Sequence, residues 1–226
     1  YPDLPPIAAI KARFTRMIYV GDQAEAAVIQ LNPGALRAEV TVDGITAVQL
    51  NATFGPAGPV SEFIVQDSAQ MPRPVVPLDR PFEDMAGGSG LLALSGAPED
   101  FERMFPHAAG LLGARRLAAL GGSTLLVGMV MPGLHSLYAG LALAVCEDSV
   151  PSGALAFRVA VADPRYRLVR LDIAGCDPLG EHRGRLARAK HRLGLVMRPR
   201  GGRQHEVAVR ERGLVYAGAF IDAVAS

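Results

Sequence analysis

The chain has 226 residues, half of them hydrophobic, and a formal net charge of +1. That length and apolar share permit a substantial core, as one large domain or two small ones, and exclude a disordered tail. With seven Met, no Trp and few aromatics, Leu, Val and Ala must fill most of the core, a composition that suits any fold and is silent on chemistry.

The small net charge hides an asymmetry. Residues 1–100 carry 6 Lys and Arg against 12 Asp and Glu, whereas residues 101–226 carry 17 against 10. Ten of the basic residues lie between Arg183 and Arg212. They read either as a patch for an anionic partner, such as a carrier-protein phosphopantetheine, coenzyme A or nucleic acid, or as a solvated strand and tail. Cys146 and Cys176 have neither CxxC nor Cys/His ligand spacing, so no disulfide framework, zinc site or other cofactor is predicted and a reducing cytoplasm fits best. The opening Tyr1-Pro2-Asp3-Leu4-Pro5-Pro6 lacks the basic and apolar regions of a signal peptide. It also lacks Met, so residues upstream are expected.

In chain order, residues 7–66 read as β. A first strand is expected over Ile10–Val20, ahead of a turn at Gly21-Asp22. Leu36, Ala38, Val40 and Val42 alternate with polar residues, as do Val48, Leu50, Ala52 and Phe54, the pattern of half-buried strands. Asp43-Gly44 is a hairpin signal and Asn32-Pro33-Gly34 marks another turn. Residues 67–97 hold Pro72, Pro74, Pro77, Pro81, Gly87, Gly88 and Gly90; such a composition breaks helix and sheet, and predicts a linker between two units.

A helix follows. Pro98 suits a first turn, Glu99 and Asp100 favour a helix N-terminus, and Phe101, Met104 and Phe105 form an apolar face. Pro106 interrupts and can restart the helix, with Ala108, Leu111, Leu112, Leu117 and Leu120 on one side. Gly121-Gly122 is expected to stop it, with Ser123 capping a next helix from Thr124 to Met131. The most apolar stretch, Leu125 to Val145, contains Pro132, Gly133, His135 and Ser136. A buried helix, a turn and a buried strand explain it better than a membrane span. Strands are then predicted over Leu137–Val145, around Leu155, Phe157, Val159 and Val161, around Val169, Leu171 and Ile173 after a turn at Asp163-Pro164-Arg165, and from about Glu181 to Val196. Helix followed by long antiparallel strands is an α+β arrangement.

The run Val127-Gly128-Met129-Val130-Met131-Pro132-Gly133-Leu134-His135-Ser136, followed by long strands around Asp163-Pro164-Arg165-Tyr166, resembles the MaoC-like and polyketide dehydratase families of the hotdog fold. Arg13-Phe14-Thr15-Arg16 and Gly21-Asp22 are similar to the Arg-Phe and Gly-Asp turn often found in the strand-rich half of such proteins. The resemblance implies an antiparallel sheet wrapped around a long apolar helix, as a partial double hotdog. Its parts would be a first unit at 1–66, the linker at 67–97 and a second unit with the central helix at 98–226. Two departures matter. No helix precedes the first strands, and the hydratase-type Asp-x-Asn-Pro-x-His and polyketide-type His-x-x-x-Gly-x-x-x-x-Pro motifs are both missing.

Dehydration of a 3-hydroxyacyl thioester needs a base for the α-proton, an acid for the departing hydroxyl and N–H groups at the thioester carbonyl. His135 is the first candidate, since a chain leaving a buried helix after Pro132-Gly133 can present it to a cleft; a hydrogen-bonded core histidine is the competing reading. Ser136 would bind the carbonyl or satisfy the local backbone. Gly128 and Gly133 would admit substrate closely, although helix packing explains Gly128 equally well. His107, beside Pro106, is the second candidate, against a solvated helix end. Asp163, at a strand end, is the candidate acid partner for the catalytic histidine, against ordinary turn chemistry. Asp177 and His182 have hydratase-like spacing but flank a turn.

The chain has no Walker loop, Gly-x-Ser-x-Gly elbow or His-Glu-x-x-His helix. Arg212 to Phe220 lacks the full glycine fingerprint of a nucleotide-binding turn and reads as a terminal strand or helix. The resemblance therefore implies a cytoplasmic dehydratase or hydratase acting on a thioester of acyl carrier protein or coenzyme A. Nucleic acid and membrane are not expected as partners, and an incomplete double hotdog is open to homodimerisation. A thioesterase and a non-catalytic partner subunit are the alternatives.

Overall fold

The computed structural model describes residues 4–58, 70–71, 74–94, 96–134, 136–146 and 153–176. Four strands come first: β1 (Ile7–Phe14), β2 (Ala24–Asn32), β3 (Ala35–Val42) and β4 (Ile45–Phe54). Asp43 and Gly44 both have positive φ, 53° and 71°, the backbone that a two-residue hairpin needs to match strand twist. The alternation read from the sequence becomes one buried face, made by Ala38, Val40 and Val42 of β3, Val48, Leu50 and Ala52 of β4, and Ile10 and Ala12 of β1. The first strand stops at Phe14, short of the expected Val20. Beyond it Thr15 is still held to β4, its N–H donating to the Ala47 carbonyl and its Oγ to the carbonyls of Thr46 and Ala47.

The short β5 (Gln70–Met71) and β6 (Ser89–Ala93) follow, with a 3-10 turn at Phe82–Met85 between them. The stretch expected to be a structureless linker thus supplies a strand. Gly90 allows it, because a Cβ there would press on Met71 and Phe157. Three helical segments come next: α1 (Pro98–Met104), α2 (Pro106–Leu112) and α3 (Ala114–Leu125), the last continuing into a π-turn at Leu126–Val130. Pro98 and Pro106 each sit in a first turn, where their missing N–H costs nothing. β7 (Gly140–Ala144), β8 (Ala154–Asp163) and β9 (Leu168–Cys176) complete the described chain. The strand expected from Glu181 to Val196, and the region 212–220, lie outside it.

The strands form two sheets, in the orders β2-β3-β4-β1-β7 and β5-β6-β8-β9. Every named pairing is antiparallel except β5 with β6. β1 and β7 pair through Ala9–Arg13 and Gly140–Ala144, joining the strand after the helices to the N-terminal strands. One hydrophobic core takes residues from both sheets and all three helices. β8 is covered on both faces: Leu155 and Phe157 enter the main core, whereas Ala154 and Ala156 meet Leu91 and Ala174 behind it.

Gly121 and Gly122 do not end the helix; α3 runs through them and buries both. The reason is contact distance. A Cβ on Gly122 would overlap Leu94 and stand 3.0 Å from Leu155, so glycine lets the helix lie close to β8. Ser123 is accordingly not a cap but a fully buried mid-helix residue whose Oγ donates to the Leu120 carbonyl at 2.6 Å. Gly122→Val should therefore cost about 1–3 kcal/mol by overpacking. Gly110→Ala, where an added Cβ meets nothing within 4 Å, should gain about 0.5–1 kcal/mol of helix propensity. Urea unfolding of both variants checks the pair.

Candidate functional site

The site grows out of the end of the buried helix. In the π-turn the hydrogen-bond ladder widens by one residue, with Met131 N donating to the Leu126 carbonyl at 2.8 Å. Such turns are a common device for opening a helix at a functional position. Gly128 lies in this turn, partly exposed, and an added Cβ would meet nothing within 4 Å. Helix packing therefore does not explain this glycine, and open space adjoins it.

The exit from the turn is held by an extended segment. Leu78 N donates to the Met129 carbonyl at 2.9 Å, Leu134 N donates to the Leu78 carbonyl at 2.8 Å, and Asp79 pairs with Gly133 in an antiparallel bridge. Gly133 has φ of +84°, and a Cβ on it would collide with the Leu78 carbonyl oxygen. Its glycine is required by the backbone on both counts. Ser136 closes the loop, its Oγ donating to the carbonyls of Gly133 at 2.7 Å and Val127 at 3.2 Å. That commits its one proton to the local backbone rather than to a thioester carbonyl.

Behind the loop, the Ser123 hydroxyl lies 3.2 Å from that of Tyr138. Because the Ser123 proton already serves Leu120, Tyr138 is the donor of this pair. The Tyr138 ring packs edge-on against Phe14, with centroids 5.4 Å apart. Burial pushes the Tyr138 phenol well above the ordinary tyrosine range.

The structure thus brings together Gly128, Gly133 and Ser136. His135 itself lies outside the described residues, as do Asp177 and His182; the neighbours of His135, exposed Leu134 and half-buried Ser136, bracket it. His107 stands elsewhere, exposed on the first turn of α2. Asp163 stands in the β8–β9 turn, where its Oδ1 accepts from Arg165 N at 2.9 Å and lies 3.7 Å from Arg165 Nε. That is the turn chemistry an Asp-Pro pair supplies. Among the described residues no three His, Cys, Asp or Glu gather as a metal site, and no helix is long and apolar enough to cross a membrane.

Sequence reasoning missed the Leu78–Arg80 segment, because its flanking prolines spoke only of a linker. It missed Tyr138 and Ser123 as a pair, since nothing in their spacing announces a contact between a helix and the strand approach that follows it. It also missed Arg80, half-buried, whose Nε is buried without a hydrogen-bond partner.

No family model matches the chain, and no curated protein matches it. Solved structures do. The tesB protein of Mycobacterium avium subs paratuberculosis aligns over 87% of this chain and 79% of its own, at 11% identity and TM-score 0.51. A protein from Alicyclobacillus acidocaldarius, described as having a hot dog fold, aligns over 89% and 82% at 14% identity and TM-score 0.44. A trans-AT PKS dehydratase domain from Brevibacillus brevis aligns over 86% and 77% at 13% identity and TM-score 0.44. The chain has a hotdog fold. Its helical centre is broken into three segments, and the π-turn at the end of the last opens beside Gly128.

Two variants separate the glycines of this hotdog. Gly133→Ala should cost at least about 2 kcal/mol, from left-handed strain and the clash with Leu78, whereas Gly128→Ala should stay within about 0.5 kcal/mol of the parent; thermal unfolding reads both. For Tyr138, a phenol with a raised folded-state pKa contributes stability that is complete below the ordinary tyrosine pKa of 10.0 and lost as pH climbs through the folded value. Stability measured above pH 10 should therefore fall, and Tyr138→Phe should remove part of that fall.

Proposed function

We propose that this hotdog protein is an acyl-thioester enzyme, a dehydratase or hydratase acting on a 3-hydroxyacyl or enoyl group carried by acyl carrier protein or coenzyme A. One observation carries the reading. The buried helix ends in a π-turn with open space at Gly128, and Gly133, Leu134 and Ser136, which flank residue 135 in the chain, are held by hydrogen bonds to the backbone of Leu78 and Val127. Flanking residues held in this way are the support a catalytic side chain at 135 needs.

In this mechanism His135 takes the α-proton of the 3-hydroxyacyl thioester. The electron pair left on carbon forms the double bond as the 3-hydroxyl departs, and the proton returned to that hydroxyl gives water. The open side of Gly128 admits the acyl chain. Ser136 acts as a positioning residue, because its hydroxyl is held by the Val127 and Gly133 carbonyls. His107, exposed on the first turn of α2, is the second candidate for the histidine's role.

A thioester hydrolase is the competing reaction on the same fold. A non-catalytic partner subunit is favoured by one observation, the capture of Asp163 within its own turn. Mass spectrometry of 3-hydroxyacyl carrier-protein and coenzyme A thioesters incubated with the full chain tells these apart. Loss of one water, slowed about a hundredfold or more in His135→Ala, is the expected result. A free thiol as product points to hydrolysis, and unchanged thioesters with both proteins sink the enzymatic reading for those substrates.

A further inference from the structure

We propose that Arg80 is the recognition site for a carboxylate carried on the acyl group, so that the substrate is an acidic acyl thioester. The inference deepens the acyl-thioester reading above and rests on it.

Arg80 is exceptional among the described arginines. Arg16, Arg37, Arg103, Arg158 and Arg165 all pair with carboxylates. Arg13, Arg115, Arg167 and Arg170 are exposed to water. Arg116 also has a buried Nε but donates from Nη1 to the Leu112 carbonyl. Arg80 alone combines a half-buried side chain, a buried unpartnered Nε and no hydrogen bond or ion pair among the described residues. The nearby carboxylates of Asp79, Glu83 and Asp84 are exposed and none bonds to it.

A guanidinium cannot shed its proton to escape this environment. Burying its N–H without an acceptor costs stability, so an acceptor brought by a ligand is the physical reason to keep it. The planar fork of donors suits a carboxylate, which it can grip through two parallel hydrogen bonds.

Position decides which anion. Asp79 is bridged to Gly133, which makes Arg80 the next residue along the segment that holds the helix exit. On the proposed function the reacting carbons lie at this helix exit, and the phosphate of a carrier arm is a whole pantetheine away from the thioester, too far to share that place. An anion here belongs on the acyl chain itself.

Titration calorimetry of the full chain tests this with four probes: a dicarboxylic 3-hydroxyacyl coenzyme A thioester, its methyl ester, succinate and inorganic phosphate. The wild type should bind the free acid about tenfold or more tighter than the ester. Arg80→Gln should abolish the difference and Arg80→Lys restore part of it. Without ligand, Arg80→Gln should melt no lower than the wild type, since it removes an unpaired buried donor; a clear drop would reveal an internal partner and overturn the proposal. A preference that is absent in the wild type, or that survives in Arg80→Gln, also overturns it, as does phosphate binding as tightly as succinate. Succinate binding that depends on Arg80, with no gain from the thioester, would keep the anion site and remove the thioester reading. Equal binding and turnover of acid and ester would keep the thioester reading and remove the site.

Discussion

Close approach of α3 to the second sheet at Gly122 is the contact on which the rest of the molecule depends. Leu94 and Leu155 occupy the space where a side chain would stand, so the helix comes nearer to β8 than any larger residue would permit. With no tryptophan in the chain, the core is filled mostly by Leu, Val and Ala around the rings of Phe101, Phe105 and Phe157, and close backbone approach does the rest. Ala154, Ala156 and Ala174 extend the same economy to the rear of that sheet. Dense packing of this kind leaves little room for relaxation, which is why single added atoms are felt.

The same closeness governs the polar groups. Ser123 is the one buried polar side chain among the described core residues, and it is satisfied twice, by Leu120 and by Tyr138. Ser136 is satisfied by two carbonyls of its own loop. Two groups among the described residues are less settled, the buried Nε atoms of Arg80 and Arg116, and of these side chains only Arg116 donates elsewhere. Where most of what is buried is paired, such exceptions are the more informative. Arg80 also lies on the segment that braces the helix exit, so the features that bear on function converge on one stretch of backbone from Leu78 to Arg80 and Leu126 to Ser136.

Much of the fold was legible in the sequence. Period-two patterns in β3, β4 and β8 exposed their buried faces because a strand with one side in the core must alternate. Asp43-Gly44 announced its hairpin through the positive φ it tolerates, and Pro98 and Pro106 announced helix starts. Glycine misled twice. Gly121-Gly122 reads as a stop by propensity, yet packing kept the helix going; the glycines of 87–90 read as a linker, yet Gly90 serves close contact within a strand. Of the candidate site, the run from Gly128 to Ser136 stood out by its composition, but the use of each residue did not.

By itself, then, the sequence determined the local grammar: where strands alternate, where turns fall, where helices begin, and that a buried helix breaks at Pro132-Gly133. These follow from forces acting within a few residues. Tertiary structure alone decided that β7 pairs with β1, that α3 runs through two glycines, that Ser123 meets Tyr138 and that Arg80 lacks a partner among the described residues. Each of the four depends on which surfaces come into contact or stay unmet, and contacts between distant segments leave no periodic trace in the chain.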